Sequence, residues 1–387
     1  MKYFRILSVT IALLAAATMN ARDWSHEYEV WEAARPLYAD RLEQVLQCFE
    51  KYAPANVRAE KYAIADINGD SKGALLLSTW DNKHRVWLSL GNGQLNAIPQ
   101  NAELDSKLKK QDIYLDSLTW EPITDLGRAI TPATDITLRH QPLAVTDISL
   151  ARNSFTVQWQ GDKPARLNAY DRMMFKPHVG NVKFTGAHEN PDEQVTALNF
   201  KLVTPSIIKK MFRGYQDHEM APFIVPQAFF KTHELLDFKR WKDPEPKVAI
   251  TKDAASIISS FYGGRKIIKG QWLASCEVNE RTFYAVQFEH RGTDALAALV
   301  CLAEGTVVST LDYHGTYYGE GESVWFVDDD GDFMEHAPEI QCLVATDKGL
   351  EVYIRQYGGE SVQYAILREI GEWLVEIDHQ YFIYTFN

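Results

Sequence analysis

Two hydrophobic periods divide the chain. In residues 24 to 53, Leu42, Val45, Leu46, Phe49 and Tyr52 recur at spacings of three and four, which predicts a helix with one apolar face, and Pro54 ends the run. Pro36 either starts a second helix or kinks the first, because its nitrogen has no proton to donate. From residue 61 the period drops toward two. Lys61 to Ile67, Ala74 to Thr79 and Arg85 to Leu90 are short β-like runs split by Gly, Asn and Asp, as in a meander. Ser154 to Gln160 alternates, with Phe155, Val157 and Trp159 on one face. Residues 161 to 247 are mixed, with several prolines, a helical stretch at 205 to 213 and a linker-like segment from Trp241 to Pro246.

After a short helical stretch from Lys252 to Tyr262, strand follows strand: 281 to 289, 295 to 302, 306 to 313, 323 to 327, 340 to 345, 350 to 355, 361 to 368 and 372 to 386, with turns such as Glu304-Gly305 and Lys348-Gly349 between them. This order predicts a mainly β chain with short helices, an α+β fold whose antiparallel meanders form a sandwich, a barrel or a partial propeller in two halves. The expected division is a signal peptide at 1 to 21, a helix-led β-rich domain at 22 to 245 and an antiparallel β domain at 246 to 387. Each half has a helical lead, a meander and one Asp-rich loop, which hints at an internal duplication.

Lys2 and Arg5 precede the apolar run Ile6 to Ala17, and small and polar residues follow before Arg22-Asp23, the pattern of a secretory signal peptide cleaved after Ala21 or Ala17. The run is shorter than the ~20 residues of a bilayer span, and no Cys follows it to accept a lipid. The expected location is secreted or periplasmic. The 387 residues carry 40 basic and 52 acidic side chains, a formal charge of -12. Cleavage after Ala21 removes Lys2 and Arg5, leaving 38 against 52, or -14. That balance argues against nucleic acid and against an anionic membrane surface as partners. Export permits disulfides: Cys276, Cys301 and Cys342 sit in strand-like stretches, so either two of them pair or all stay reduced as small buried hydrophobes.

Composition names no chemistry, but one loop does. Counting Asp328 as position one, Asp330 and Asp332 fall at three and five, Met334 offers its carbonyl at seven and Glu339 falls at twelve, the ligand spacing of a calcium loop. Two carboxylates about 5 Å apart repel by roughly 3 kcal/mol at the effective dielectric of a protein surface, so converging acids need a cation or must splay into water. A second loop, Asp66, Asn68 and Asp70, has the oxygens at one, three and five but Leu77 at twelve; alternatively, Asn68-Gly69-Asp70 makes a hairpin turn. The segments Tyr62 to Asp70 and Phe326 to Ile340 resemble the strand, D-x-[DN]-G-D loop and P-E-[LI] strand of FG-GAP and VCBS-type calcium-binding repeats of secreted bacterial proteins. The resemblance implies calcium ligation at these acids and a β-rich fold, often a propeller. It covers two patches of the chain, with Ser71 and Phe333 where the family commonly has Gly, and the first loop lacks the P-E pair.

His233-Glu-Leu-Leu-Asp237 begins like a zinc-protease helix but has Asp in place of the second His, which favours a surface helix with a solvated His. Asp217-His218-Glu219 and Glu335-His336 are polar clusters without metal-ligand spacing. No G-x-S-x-G elbow, Walker loop or HExxH occurs. Most of the tryptophans read as core, Trp159 and Trp325 among them, while Tyr313 to Gly321 reads as an exposed aromatic loop suited to a sugar or a protein interface. The expected function is an exported binding or surface-associated protein, without catalysis, whose C-terminal loop is ordered by calcium and whose partner is a glycan or a protein. The rival is a secreted, glycan-active hydrolase with paired carboxylates between the halves.

Overall fold

The computed structural model describes residues 24–55, 57–127, 142–160, 167–190, 195–217, 220–241, 247–319, 322–326, 329–358 and 361–383. The expected signal peptide and most of the segment after Trp241 lie outside them. The chain is mainly β, and its antiparallel sheets curl into two half-barrels with short helices. It divides into two compact units, Met1–Leu126 and Gly127–Asn387. The boundary drawn from the prolines at 241 to 246 therefore falls inside the second unit, where strands on both sides of it join one sheet.

In the first unit, α1 (Trp24–Ala39) and α2 (Leu42–Tyr52) lead into β1 (Lys61–Ala65), β2 (Ala74–Ser78), β3 (Arg85–Gly91), β4 (Gln94–Ile98) and, after α3 (Ala102–Lys110), β5 (Glu121–Pro122). The sheet order is β4-β3-β2-β1-β5. Pro36 lies inside α1, and the helices part later, at Asp40 and Arg41. Near the end of a helix a proline removes one donor, which the helix survives. The apolar positions Leu42, Val45, Leu46 and Phe49 are buried as their spacing requires. β1 and β2 are buried along their whole length because both faces of the sheet are covered. On one face, the fully buried Tyr38 of α1 donates its hydroxyl to the carbonyl of Gly73 at 2.9 Å. On the other, Leu104 of α3 packs with Ala63, Ala65, Leu76 and Trp87.

The second unit holds two sheets. The first comprises β6 (Leu143–Ala144), β7 (Asp147–Ser149), β8 (Ser154–Gln160), β9 (Arg172–Phe175), β10 (His178–Asn190), β11 (Val195–Leu202) and β12 (Phe223–Val225), in the order β6-β12-β9-β10-β11-β8-β7. The mixed stretch thus contains a long antiparallel hairpin, and the helix expected at 205 to 213 is a 3-10 turn followed by one α-turn. The second sheet has ten strands. Short β13 (His233–Leu235) and β14 (Lys239–Arg240) edge two meanders: β15 (Ile267–Cys276), β16 (Arg281–Phe288), β17 (Asp294–Ala303) and β18 (Thr306–Thr316), then β19 (Glu339–Thr346), β20 (Gly349–Tyr357), β21 (Ser361–Ile370) and β22 (Trp373–Ile383). β18 and β22 make the one parallel pairing among the described strands. The two sheets share a core in which Met174, Phe223 and Phe229 meet Cys342, Val344, Tyr353 and Tyr364. α4 (Lys252–Phe261) covers β16 and β17 through Ala254 and Ile258.

Two local expectations change. His233 sits in a strand and not on a helix; its ring stacks on Phe229 at 3.9 Å and its Nε2 lies 3.8 Å from the buried Glu351. Residues 322 to 326 form no strand. The N–H groups of Val324, Trp325 and Phe326, which a strand would spend on its neighbour, go to the Asp329 carboxylate. The three cysteines Cys276, Cys301 and Cys342 are free and buried. Burial pushes the Cys342 thiol up to about 12 and raises that of Cys301 as well, so both are inert small hydrophobes.

Candidate functional site

The acidic loop of the first unit folds around Asp66. Its Oδ1 accepts the N–H groups of Asn68, Gly69 and Asp70 at 3.3, 2.8 and 3.1 Å, and its Oδ2 accepts that of Ser71 at 2.8 Å. His26 Nε2 stands 3.7 Å from Oδ2. Asn68 and Asp70 are exposed, and Asp70 accepts the Lys72 N–H at 3.2 Å. Asx-type bonding of this kind closes the turn between β1 and β2 from within.

In the second unit the corresponding centre is Asp329, one residue beyond the predicted first ligand. Asp328 itself lies outside the described residues. Asp329 is 1% exposed and accepts four backbone N–H groups: Val324 at 2.8 Å, Trp325 at 2.6 Å, Phe326 at 2.9 Å and Gly331 at 3.0 Å. Burial works to raise its carboxyl, but the N–H groups of Gly331, Phe326, Trp325 and Val324 outweigh burial and hold it below the ordinary carboxylate range. The signal was present in the sequence: an Asp two residues before a Gly is placed to accept that glycine's N–H in an Asx turn.

The other expected ligands are engaged separately. Asp330 is exposed, in the left-handed region at φ 46°. Asp332 accepts the Met334 N–H at 3.0 Å and pairs with Lys269 Nζ at 2.6 Å. The Met334 carbonyl accepts Lys247 Nζ at 2.7 Å. Glu339 opens β19 directly opposite Arg355, whose Nε donates to its Oε2 at 3.0 Å, and Gln341 Nε2 adds a bond at 3.1 Å. Gln287 of β16 clamps the loop, donating to the Gly331 carbonyl at 2.8 Å and accepting the Phe333 N–H at 3.1 Å. Phe333, standing where the resembled family has Gly, is fully buried, with its ring 4.8 Å from Tyr313 and 5.7 Å from Trp325. Lysine and arginine side chains thus occupy carboxylate and carbonyl oxygens that the spacing assigned to an ion.

Sequence spacing also missed a polar group around α4. Tyr262 donates to Asp312, Arg265 Nη1 pairs with Asp294 at 2.7 Å, and His314 Nδ1 lies 3.9 Å from Asp294. These bonds tie the end of α4 to β17 and β18. The aromatic loop after β18 is shorter than expected, because Tyr313 to Thr316 belong to the strand. Tyr318 is 78% exposed, while Tyr317 stacks on His290 at 4.1 Å and donates its N–H to the Thr293 carbonyl at 2.9 Å. Two open grooves accompany these features. One, of about 450 Å³, runs between the β15/β16 and β17/β18 turns past Glu280, Arg281 and Glu304; the other, of about 430 Å³, lies between α2 and the β3/β4 turn. Of the polar clusters named earlier, His218 and Glu219 lie outside the described residues, and His336 is bonded through Nδ1 to the Tyr357 carbonyl at 2.9 Å.

No protein-family model matches the chain, and no curated protein matches it. Its geometry carries the functional reading alone. No helix of the described residues is long and apolar enough to cross a membrane.

Proposed function

We propose that the mature chain is an exported binding protein, without catalysis, that meets a glycan or protein ligand with the aromatic loop after β18. The observation that carries this reading is Tyr318, the most exposed of the large apolar side chains among the described residues, beside the Tyr317/His290 stack. A flat aromatic surface with polar neighbours suits a sugar ring or a protein hot spot. The backbone bond from Tyr317 holds this surface in place, so little ordering is needed on binding. The acidic connections then serve as rigid joints of the sheets.

The hydrolase reading has less support. Glycosidase chemistry sets one carboxylic acid apart from its partner through unequal environments. Glu280 and Glu304 share the groove between the β15/β16 and β17/β18 turns, but both are exposed turn residues at positive φ. For calcium at the second loop, an ion would have to displace Lys269, Lys247 and Arg355 from their oxygens.

The test is binding to a panel of immobilised glycans by wild type and Tyr318→Ala, with turnover of chromogenic glycosides measured in parallel. Binding that is lost in the variant, with no turnover, is the expected result. Turnover that disappears in Glu280→Gln or Glu304→Gln would replace the reading with the hydrolase.

A further inference from the structure

Tyr215 follows the single α-turn at Ile208–Met211 and packs edge-on against Phe175 of β9, with ring centroids 5.2 Å apart. Two cations from separate parts of the chain reach it. Lys176, in the turn between β9 and β10, holds its Nζ 5.1 Å from the ring centroid; Arg240 of β14, itself buried, holds its Cζ 5.1 Å from the same centroid. Both act on the phenol as positive charges. Lys176 adopts φ 53°, a left-handed conformation that a lysine rarely takes. Arg240 is fixed in turn by the Ile340 carbonyl, which accepts Nη1 at 3.0 Å.

The chemistry follows from counting donors. An ammonium and a guanidinium only donate, so a phenolic oxygen beside them can only accept from them. Charge-assisted bonds of this kind favour the ionised form of the acceptor, and two like charges directed at one oxygen are offset when that oxygen becomes an anion. Burial alone would raise the phenol; Arg240 and Lys176 outweigh it and hold Tyr215 below the usual tyrosine value. The charged groups that act on the phenol include these two cations. Tyr215 remains half-buried, and Gly214, Gln216 and Asp217 around it are exposed.

We propose that Tyr215 is a nucleophilic tyrosine, set between Lys176 and Arg240 to accept a phosphoryl or sulfuryl group from an oxyanionic donor. In that step the phenolic oxygen bonds to the donor's phosphorus or sulfur. The bond from that atom to the leaving oxygen breaks with its electron pair on the leaving group, and the phenolic proton passes to solvent. The two cations would neutralise the donor's non-bridging oxygens as well as the phenolate, which favours an anionic donor over a neutral one.

The test uses the whole mature protein and a sulfonyl fluoride probe bearing a carboxylate, 3-(fluorosulfonyl)benzoate, at neutral pH. The S–O bond forms as the S–F bond breaks, and labelled tyrosines are read by peptide mass spectrometry. Tyr215 is expected to label on the order of tenfold faster than the far more exposed Tyr318. The same probe should outpace neutral phenylmethanesulfonyl fluoride at Tyr215 only, and Lys176→Gln should remove most of that preference. Spectral titration of the phenols should show one tyrosine ionising ahead of the rest, absent in Tyr215→Phe. The comparison of Tyr215 with Tyr318 within wild type needs no variant to fold. Labelling of Tyr318 ahead of Tyr215, or equal rates with the anionic and neutral probes, would overturn the proposal.

Discussion

Asp332 pairs with Lys269 through an Oδ2 to Nζ contact of 2.6 Å, placing the ammonium of β15 at the acid that calcium-loop spacing assigns to position five. Both side chains are partly exposed, at 46% for the lysine and 27% for the acid, so the pair itself is worth about 0 to 1 kcal/mol. Its consequence is exclusion of a second cation. Wild type should give coincident melting curves with calcium and with chelator. Lys269→Met should lose under about 1 kcal/mol of stability and gain a calcium-dependent rise in Tm. Chelation that lowers the Tm of wild type, with Asp330→Ala abolishing the difference, would instead establish the calcium-held loop.

Asp329 gives the second prediction a sign. Its folded-state pKa is depressed, so the stability it contributes is complete above the unfolded Asp value of about 3.9 and is lost as pH falls through the lower folded value. Asp329→Ala strands several buried N–H groups and should cost roughly 3 to 5 kcal/mol at neutral pH. The gap between wild type and variant in urea unfolding should stay constant from neutral pH down to the ordinary carboxylate range and narrow only below it. A gap that narrows well above that range would mean another group carries the effect.

Glu339 and Arg355 form the buried counterpart of the surface pair. Their side chains are 14% and 6% exposed, and Arg355 also reaches the Met220 carbonyl at 3.4 Å, joining β20 to the segment before β12. Removing one partner leaves the other charged and desolvated: Arg355→Ala should cost roughly 3 to 5 kcal/mol. Replacing both with apolar side chains, Glu339→Leu with Arg355→Met, should cost far less than the sum of the single changes. A double-mutant cycle in urea measures this directly.

These pairs also show where the sequence was legible. β20 and β21 announced themselves because alternation and the Lys348-Gly349 turn are local signals. The α2 face was read residue by residue for the same reason. β15 escaped because Lys269 and Gly270 break its apolar run, although its later residues are buried. The fate of the loop acids was not local at all. Lys269 lies 63 residues from Asp332 and Arg355 lies 16 from Glu339, and only strand pairing brings them together. Twelve-residue spacing can show that acids are near each other along the chain, but not which cation arrives from another strand. Tyr215 was silent for the same reason, its partners being 39 residues before it, in the β9/β10 turn, and 25 after it, on β14.

Two glycines of the first unit separate lack of space from backbone angle. A Cβ on Gly73 would stand 2.5 Å from Ile64 Cγ2 and 2.7 Å from Ala34 Cβ, because α1 lies directly on β1 and β2 at this point. Gly93, in the β3/β4 turn, has nothing within 4 Å but sits at φ +77° after Asn92 at φ 52°. Gly73→Ala must therefore push a helix off a sheet and should cost about 1 to 3 kcal/mol through overpacking. Gly93→Ala meets open solvent and should cost about 1 kcal/mol through the left-handed conformation alone. The two are told apart by Ala34→Gly, which removes one of the clashing atoms: it should recover part of the loss in Gly73→Ala and none in Gly93→Ala. Thermal unfolding of the single and paired variants gives the comparison, and equal effects of Ala34→Gly on both would show that the helix does not rest on Gly73.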